Sequence, residues 1–192
     1  MKWNYFFNPF LKFSEKSLLI VGLLSMIAGS FCGTYCSVTY DGLFSVHSAR
    51  RTFFESLLEN TVNVLVVFVL LLILGKIINS KTRIVDILNV SIIYRIPLYI
   101  SGFFVNVPIL TRVAEKIEAS KGNLENLKFE PLELIMISAL SSVLILILVY
   151  AVVLLTNGFR TATNFKKWQY YVAFAVVLII GEILSQTIIH NI

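Results

Sequence analysis

Apolar residues along this chain fall into five long, unbroken runs that are separated by shorter polar segments. The runs are 18 to 24 residues long and cover more than half of the sequence. An α-helix rises about 1.5 Å per residue, so roughly 20 apolar residues cross a hydrocarbon core of about 30 Å. The pattern therefore predicts five transmembrane spans, at 18–37, 61–78, 87–110, 134–155 and 170–189.

The composition indicates the same class of protein. Apolar residues make up 57% of the chain and the mean hydropathy is +0.84, which is more than the core of a soluble domain of this length can bury. Because the runs are continuous instead of alternating, they favour helices over the strands of a membrane barrel. We therefore expect an all-α fold, a bundle of five transmembrane helices that forms a single domain over residues 1–192.

Charged residues are divided unequally between the loops. With the N-terminus inside, the inner segments 1–17, 79–86 (with Lys76 at its border) and 156–169 carry nine Lys and Arg residues, whereas the outer loops 38–60 and 111–133 carry six. Short loops rich in Lys and Arg stay on the cytoplasmic side, so the pattern predicts an N-inside, C-outside orientation. These flanking residues also account for the net charge of +5, and no nucleic-acid partner is expected.

Two segments are amphipathic and are predicted to lie at the membrane surface. Residues 1–16 combine lysines with aromatic rings, which suit the headgroup level. Residues 110–120 are predicted to form a short surface helix that stops at Gly122. The apolar face of this helix carries Leu110, Val113, Ala114 and Ile117.

Small residues recur at every fourth position of the first span. Ser25, Gly29, Gly33 and Ser37 share one helical face, and Gly29 with Gly33 matches the G-x-x-x-G pattern. In lipid, such faces allow helix backbones to approach closely. Two uses of the face stay open, namely packing inside the bundle and self-association of the chain. Membrane lipids and other membrane proteins are the further partners that we expect.

The third span is predicted to be kinked and to carry a charge. Pro97 has no N–H to donate to the carbonyl of Ile93, so the helix should bend there. Arg95 lies about 12 Å past the inner end of the span, where a charge costs about 2.5–3.5 kcal/mol. Glu182 is the other charge inside a span, and we expect the two to form a polar pair. The alternative is that Arg95 reaches the membrane surface alone while Glu182 is protonated or bonded to a serine.

Motifs for catalysis and metal binding are absent from the sequence. There is no H-E-x-x-H, G-x-S-x-G, P-loop or C-x-x-C pattern. The two cysteines, Cys32 and Cys36, are too few ligands for a metal site and are interpreted as packing residues. No catalytic residue, cofactor or metal is therefore predicted, and an enzyme is not expected.

One segment carries a resemblance to a known family. Residues 75–99, GKIINSKTRIVDILNVSIIYRIPLY, contain a glycine, a basic loop and then Tyr94-x-x-Pro97 in the third span. Together with five spans and an N-inside orientation, this resembles the bacterial branch of the Yip family of Ypt/Rab-interacting membrane proteins. The resemblance implies a multi-pass, Yip-like domain in the bacterial cytoplasmic membrane. The Asp-Leu-Tyr-Gly-Pro signature of the eukaryotic members is absent, so Rab GTPase binding is not expected.

Two functions are compatible with these patterns, and an enzyme that acts on lipid within the membrane is a third, weaker alternative. The first is a non-enzymatic scaffold that recruits or organises other components of the membrane, which the short loops and small-residue faces favour. The second is a small transporter or permease subunit with a polar path near Arg95 and Glu182.

Overall fold

The apolar runs form long helices in the structure, a computed structural model that describes residues 4–120 and 129–192. The described elements, in chain order, are α1 (Asn4–Phe7), a 3-10 turn (Pro9–Leu11), α2 (Glu15–Cys36), β1 (Val38–Thr39), β2 (His47–Ser48), α3 (Phe53–Ile78), α4 (Ile84–Ile93), α5 (Ile96–Val105), α6 (Pro108–Ala119), α7 (Pro131–Thr163) and α8 (Trp168–His190).

Five helical segments are long and apolar enough to cross a membrane, namely α2, α3, α4 with α5, α7 and α8. The predicted all-helical fold with five apolar helices is thus confirmed. Helix α3 begins before its apolar run, so the outer loop predicted at 38–60 ends at Thr52. The Thr52 hydroxyl accepts from the N–H of Glu55, whose carboxylate accepts from the N–H of Thr52. This capping box starts the helix in a polar segment that hydropathy does not detect.

The third apolar run is broken into two helices. A turn at Tyr94 and Arg95 separates α4 from α5, and Pro97 lies in the first turn of α5. Proline is favoured in a first turn because the N–H groups there have no acceptor within the helix. The span predicted at 87–110 ends earlier than expected because Pro108 begins the separate helix α6.

Both predicted surface segments contain short helices, and both contact α7. The hydroxyl of Tyr150 donates to the carbonyl of Phe6 (3.0 Å), and their rings stack with centroids 4.8 Å apart. Helix α6 is joined to α7 by an ion pair between Lys116 Nζ and Glu133 Oε1 (2.6 Å). The predicted stop at Gly122 lies outside the described residues.

Helices α4 and α5 are the most buried of the five spans and lie between α2, α3 and α7, while α8 packs on α3. The main apolar core fills the end of the bundle where α3 ends and α4 and α8 begin. It contains Leu43, Val67, Leu71, Leu74, Ile87, Val90, Tyr94, Leu98, Ala151, Leu154, Leu155, Phe159, Phe165 and Phe174.

Between α2 and α3 the chain folds back into the bundle. Strands β1 and β2 pair antiparallel, with Val38 opposite Ser48, and we call residues 38–48 the inserted hairpin. Tyr40 and Leu43, in the loop between the strands, are fully buried. This segment was predicted to be part of an outer loop. Its apolar tip instead packs among the helices, because burial removes those side chains from water.

Candidate functional site

Arg95 is fully buried at the break between α4 and α5, with 0% of its surface exposed. Its Nη1 donates to the carbonyl oxygens of Gly42 (3.3 Å) and Leu43 (3.5 Å), and its Nη2 donates to Asn60 Oδ1 (3.1 Å). The guanidinium carbon also lies 5.7 Å from the ring centre of Tyr99, within the range of a cation–π contact. Arg95 therefore binds the tip of the inserted hairpin.

Glu182 projects from α8 and binds the same tip. Its Oε2 accepts from the N–H of Phe44 (3.1 Å), and its Oε1 accepts from Ser45 Oγ and from Gln186 Nε2 (2.9 Å to the latter). Across the described residues, no ion pair joins Glu182 to Arg95. The two charges of the predicted pair are thus brought together by one hairpin and do not bind each other directly.

A single peptide group connects the two charges. The carbonyl of Leu43 accepts from Arg95 and from the hydroxyl of Tyr94 (3.3 Å), and the N–H of the same peptide unit, that of Phe44, donates to Glu182. A peptide group carries a dipole of about 3.5 D with its negative end at the oxygen. Its orientation here is favourable for the cation on one side and for the anion on the other.

Gly42 allows this close approach. Its carbonyl faces Arg95, and a Cβ added to it would overlap the carboxylate of Glu182. A side chain at this position would push the Glu182 carboxylate away from the tip, so the close contact favours a glycine.

Two asparagines of α3 complete the group of polar side chains around the hairpin. We call this group, which consists of Arg95, Glu182, Asn60 and Asn63, the polar core. Asn60 Nδ2 donates to Ser30 Oγ on α2 (3.0 Å). Asn63 Nδ2 donates to the carbonyl of Tyr40 (2.5 Å), and its Oδ1 accepts from Ser185 Oγ on α8. The two asparagines are fully buried and lie three residues apart on one face of α3. Non-helical backbone inside a membrane bundle needs such partners, because lipid offers none.

The two glycines of the first span pack inside the chain. A Cβ added to Gly29 would overlap the ring of Tyr99 on α5, and one added to Gly33 would lie 2.6 Å from Ser56 Oγ on α3. Both glycines are buried. This part of the small-residue face therefore lies against α3 and α5 of the same chain.

The two serines of that face bond within and beyond their own helix. Ser25 Oγ donates to the carbonyl of Gly22 (2.7 Å). Ser37 is the C-cap of α2 and has a left-handed backbone with φ 54°, which ends the helix and directs the chain into the hairpin. Asn106 Nδ2 donates to the carbonyls of Cys36 (2.7 Å) and Ser37 (2.8 Å), so it caps the end of α2.

The polar core is bounded differently on its two sides. On one side, Leu43 joins the main apolar core, in which the rings of Phe159 and Phe174 stack at 5.0 Å. On the other side, a cavity of about 460 Å³ is lined by Gln186, the residue whose amide contacts Glu182. The polar groups are therefore next to an open cavity at one end and closed off by apolar side chains at the other.

Sequence analysis identified the two charges but missed the hairpin and the asparagines that hold it. Two signals could have indicated them. The dipeptide Asp41-Gly42 is a strong turn signal. Asn60 and Asn63 are three residues apart where the apolar run of α3 begins, which places two amides on one face of the helix.

No group of three His, Cys, Asp or Glu residues that could hold a metal ion occurs within the described ranges. Comparison of the chain with protein-family models, with curated proteins and with solved structures gives no match. The resemblance to the Yip family stays a prediction, and the function must be argued from the site itself.

Proposed function

We propose that this chain spans a membrane five times and acts there as a non-enzymatic scaffold, which recruits or organises other membrane components. The observation that carries the proposal is the use of the buried polar side chains. Arg95, Glu182 and Asn63 each bind the inserted hairpin, and Asn60 binds Arg95 and α2. These groups hold the chain's own backbone, which is a structural use of polarity inside a membrane.

The outer surface of the bundle supports the same proposal. The first half of α7 is exposed and apolar almost all round, for example at Ile135, Ile145 and Leu146. In a membrane this surface is available to lipids and to the helices of partner proteins. A Yip-like role in the bacterial cytoplasmic membrane, with the N-terminus inside, is compatible with it.

Transport is the second candidate, and one observation favours it. The cavity of about 460 Å³ is lined by Gln186, which donates to Glu182 (2.9 Å). Gln186 therefore links a solute or proton in the cavity to a carboxylate within the span. The main apolar core argues against a continuous path, because it fills the far side of the polar core.

A flux assay on the purified chain separates the two functions. We expect proteoliposomes that contain it to pass protons, alkali cations and anions at the rate of empty liposomes. Flux above that background, which is lost in Glu182→Gln, would favour transport and contradict the scaffold. Glu118→Gln, which changes an exposed residue of α6, is the matched control.

A crosslinking experiment tests the scaffold directly. We expect a photocrosslinker at Leu146, 68% exposed on α7, to give a discrete complex in cells. The same group at Leu155, which is fully buried, should give none. Lack of any complex from Leu146 and from the other exposed positions of α7 would contradict recruitment through this helix.

A further inference from the structure

Two adjoining cavities lie where the N-terminal elements meet the bundle. Each has a volume of about 300 Å³, and Phe13 and Leu18 line both of them. The first, which we call the apolar cavity, lies between α1, α2, the α4–α5 break and α7. Its walls are almost wholly apolar and include Pro97 and Tyr150. A cavity of this kind suits a hydrocarbon chain.

The second, which we call the polar cavity, has polar groups in its wall. Asp86 and Asn89 both line it and lie three residues apart on one face of α4. Asn89 is only 1% exposed; its Nδ2 donates to the carbonyl of Glu15 (3.2 Å), while its Oδ1 has no partner among the residues that the structure describes. The bond to the carbonyl fixes the amide, since the flipped orientation would bring two oxygens together. The wall therefore contains a buried acceptor without a donor.

The remaining charge in this wall is negative. The Glu15 carboxylate is paired with Arg83, whose Nη2 donates to Oε2 (2.8 Å), and this hydrogen bond raises the pKa of the Arg83 guanidinium. Asp86 is half-buried and has neither an ion pair nor a hydrogen bond with another described residue. The Thr161 hydroxyl, also in the wall, already donates to the carbonyl of Asn157 (2.8 Å). Among the described residues that line this cavity, none is a Lys or Arg that could donate to these acceptors.

We propose that the two cavities together bind one phospholipid whose headgroup is a primary ammonium, with an acyl chain in the apolar cavity and the ammonium on Asp86 and Asn89. A primary ammonium has three N–H donors, which is a sufficient number for both acceptors. Lys12 is placed to meet the lipid phosphate, because its Nζ lies 5.0 Å from the ring centre of Tyr5 and 5.5 Å from that of Phe13, at the edge of the apolar cavity.

Thermal unfolding of the delipidated protein in detergent tests this site, because a ligand that binds the folded chain raises its unfolding midpoint. Phosphatidylethanolamine, phosphatidylcholine and phosphatidylglycerol with the same acyl chains are compared. We expect phosphatidylethanolamine to raise the midpoint at least twice as much as the other two, since a quaternary ammonium has no N–H donor and glycerol has no charge. Free phosphoethanolamine should give no shift, which separates a lipid from a soluble amine.

Substitution at Asp86 locates the effect. Asp86→Asn should reduce the shift with phosphatidylethanolamine to that with phosphatidylcholine. Asp41→Asn, which changes a carboxylate that is paired with His47 at 2.8 Å in the inserted hairpin, should leave the difference intact. Equal shifts for the two lipids in the natural chain, or an unchanged difference in Asp86→Asn, would overturn the proposal.

A second measurement needs no variant. Among the lipids that copurify with the natural chain, the ratio of phosphatidylethanolamine to phosphatidylglycerol should be at least threefold higher than in the membrane from which the chain was extracted. A copurified composition equal to that of the membrane would also overturn the proposal. Neither measurement depends on whether the chain is a scaffold or a transporter.

Discussion

The buried charge of Arg95 is stabilised in an unusual way. Its guanidinium meets two backbone carbonyls, an amide oxygen and an aromatic ring in place of a carboxylate. Helices bond their own carbonyls internally, so a bundle made only of helices offers few free acceptors to a buried cation. The inserted hairpin provides them, because the carbonyls of Gly42 and Leu43 lie in its loop and outside the strand pairing.

A double-mutant cycle tests the coupling between the two charges. We expect Arg95→Leu and Glu182→Leu each to lower the free energy of unfolding in detergent by about 3–5 kcal/mol, because each leaves buried polar groups without partners. The double variant should lose much less than the sum. Both side chains hold one peptide group, so the first change already releases the tip from the second.

The control for this cycle pairs Arg95→Leu with Glu118→Gln. Glu118 is exposed on α6 and shares no partner with Arg95 among the described residues. Those two effects should add. Additive losses for Arg95 and Glu182 would instead mean that the two residues act independently.

The inserted hairpin contacts three of the helices around it. It contacts α3 through Asn63, α5 through Tyr99 and α8 through Glu182. A segment of eleven residues, 38–48, thus connects helices that are distant in sequence. We infer that it stabilises the bundle more than a surface loop of the same length would.

The close contact between Gly42 and Glu182 leads to a prediction. Gly42→Ala should lower the free energy of unfolding by about 1–3 kcal/mol, since the added methyl would overlap the Glu182 carboxylate and force the tip to move. Gly75→Ala is the matched control. Gly75 lies inside α3, where an added Cβ would lie 3.2 Å from a methyl of Thr82 and 3.3 Å from a methyl of Thr163. The better helix propensity of alanine, up to about 1 kcal/mol, opposes this crowding. Thermal unfolding in detergent measures both, and equal losses would contradict the role given to Gly42.

Helix α2 gives a prediction of the same kind. Gly29→Leu should reduce thermal stability strongly, because the ring of Tyr99 occupies the space that the new side chain needs. Ala28→Leu, at the neighbouring exposed position, should be tolerated because its side chain faces away from the bundle. Comparable stability of the two variants would show that α2 does not pack through Gly29.

The elements differ in how far the sequence could predict them. The five apolar helices were predictable because a bilayer imposes length and composition on each span separately. The start of α3 is invisible to hydropathy, but Thr52-x-x-Glu55 is a capping-box signature that the sequence does contain. The hairpin was not predictable, because its burial depends on Arg95 and Glu182, which lie 53 and 138 residues away from the hairpin groups they bind. No local window of sequence contains such contacts.

At the scale of the whole molecule, the bundle is polarised along its axis. One end carries the inserted hairpin and the open cavity, and the other carries the main apolar core and the two proposed lipid cavities. The alternation of the helices also places most basic flanking residues at the end opposite the hairpin, including Lys81, Arg83 and Lys166. Both asymmetries bear on which end faces the cytoplasm.

Thiol labelling in intact cells tests the proposed orientation. In a chain with Cys32→Ser and Cys36→Ser, Glu118→Cys should react with a membrane-impermeant reagent, because α6 lies at the hairpin end. Lys81→Cys and Lys166→Cys should react only after the membrane is opened, since basic loops are retained in the cytoplasm. All three positions are exposed on the chain. A lack of labelling before the membrane is opened therefore shows protection by the membrane and not burial in the protein. Labelling of positions 81 and 166 in intact cells, with 118 silent, would reverse the orientation and place the hairpin on the cytoplasmic side.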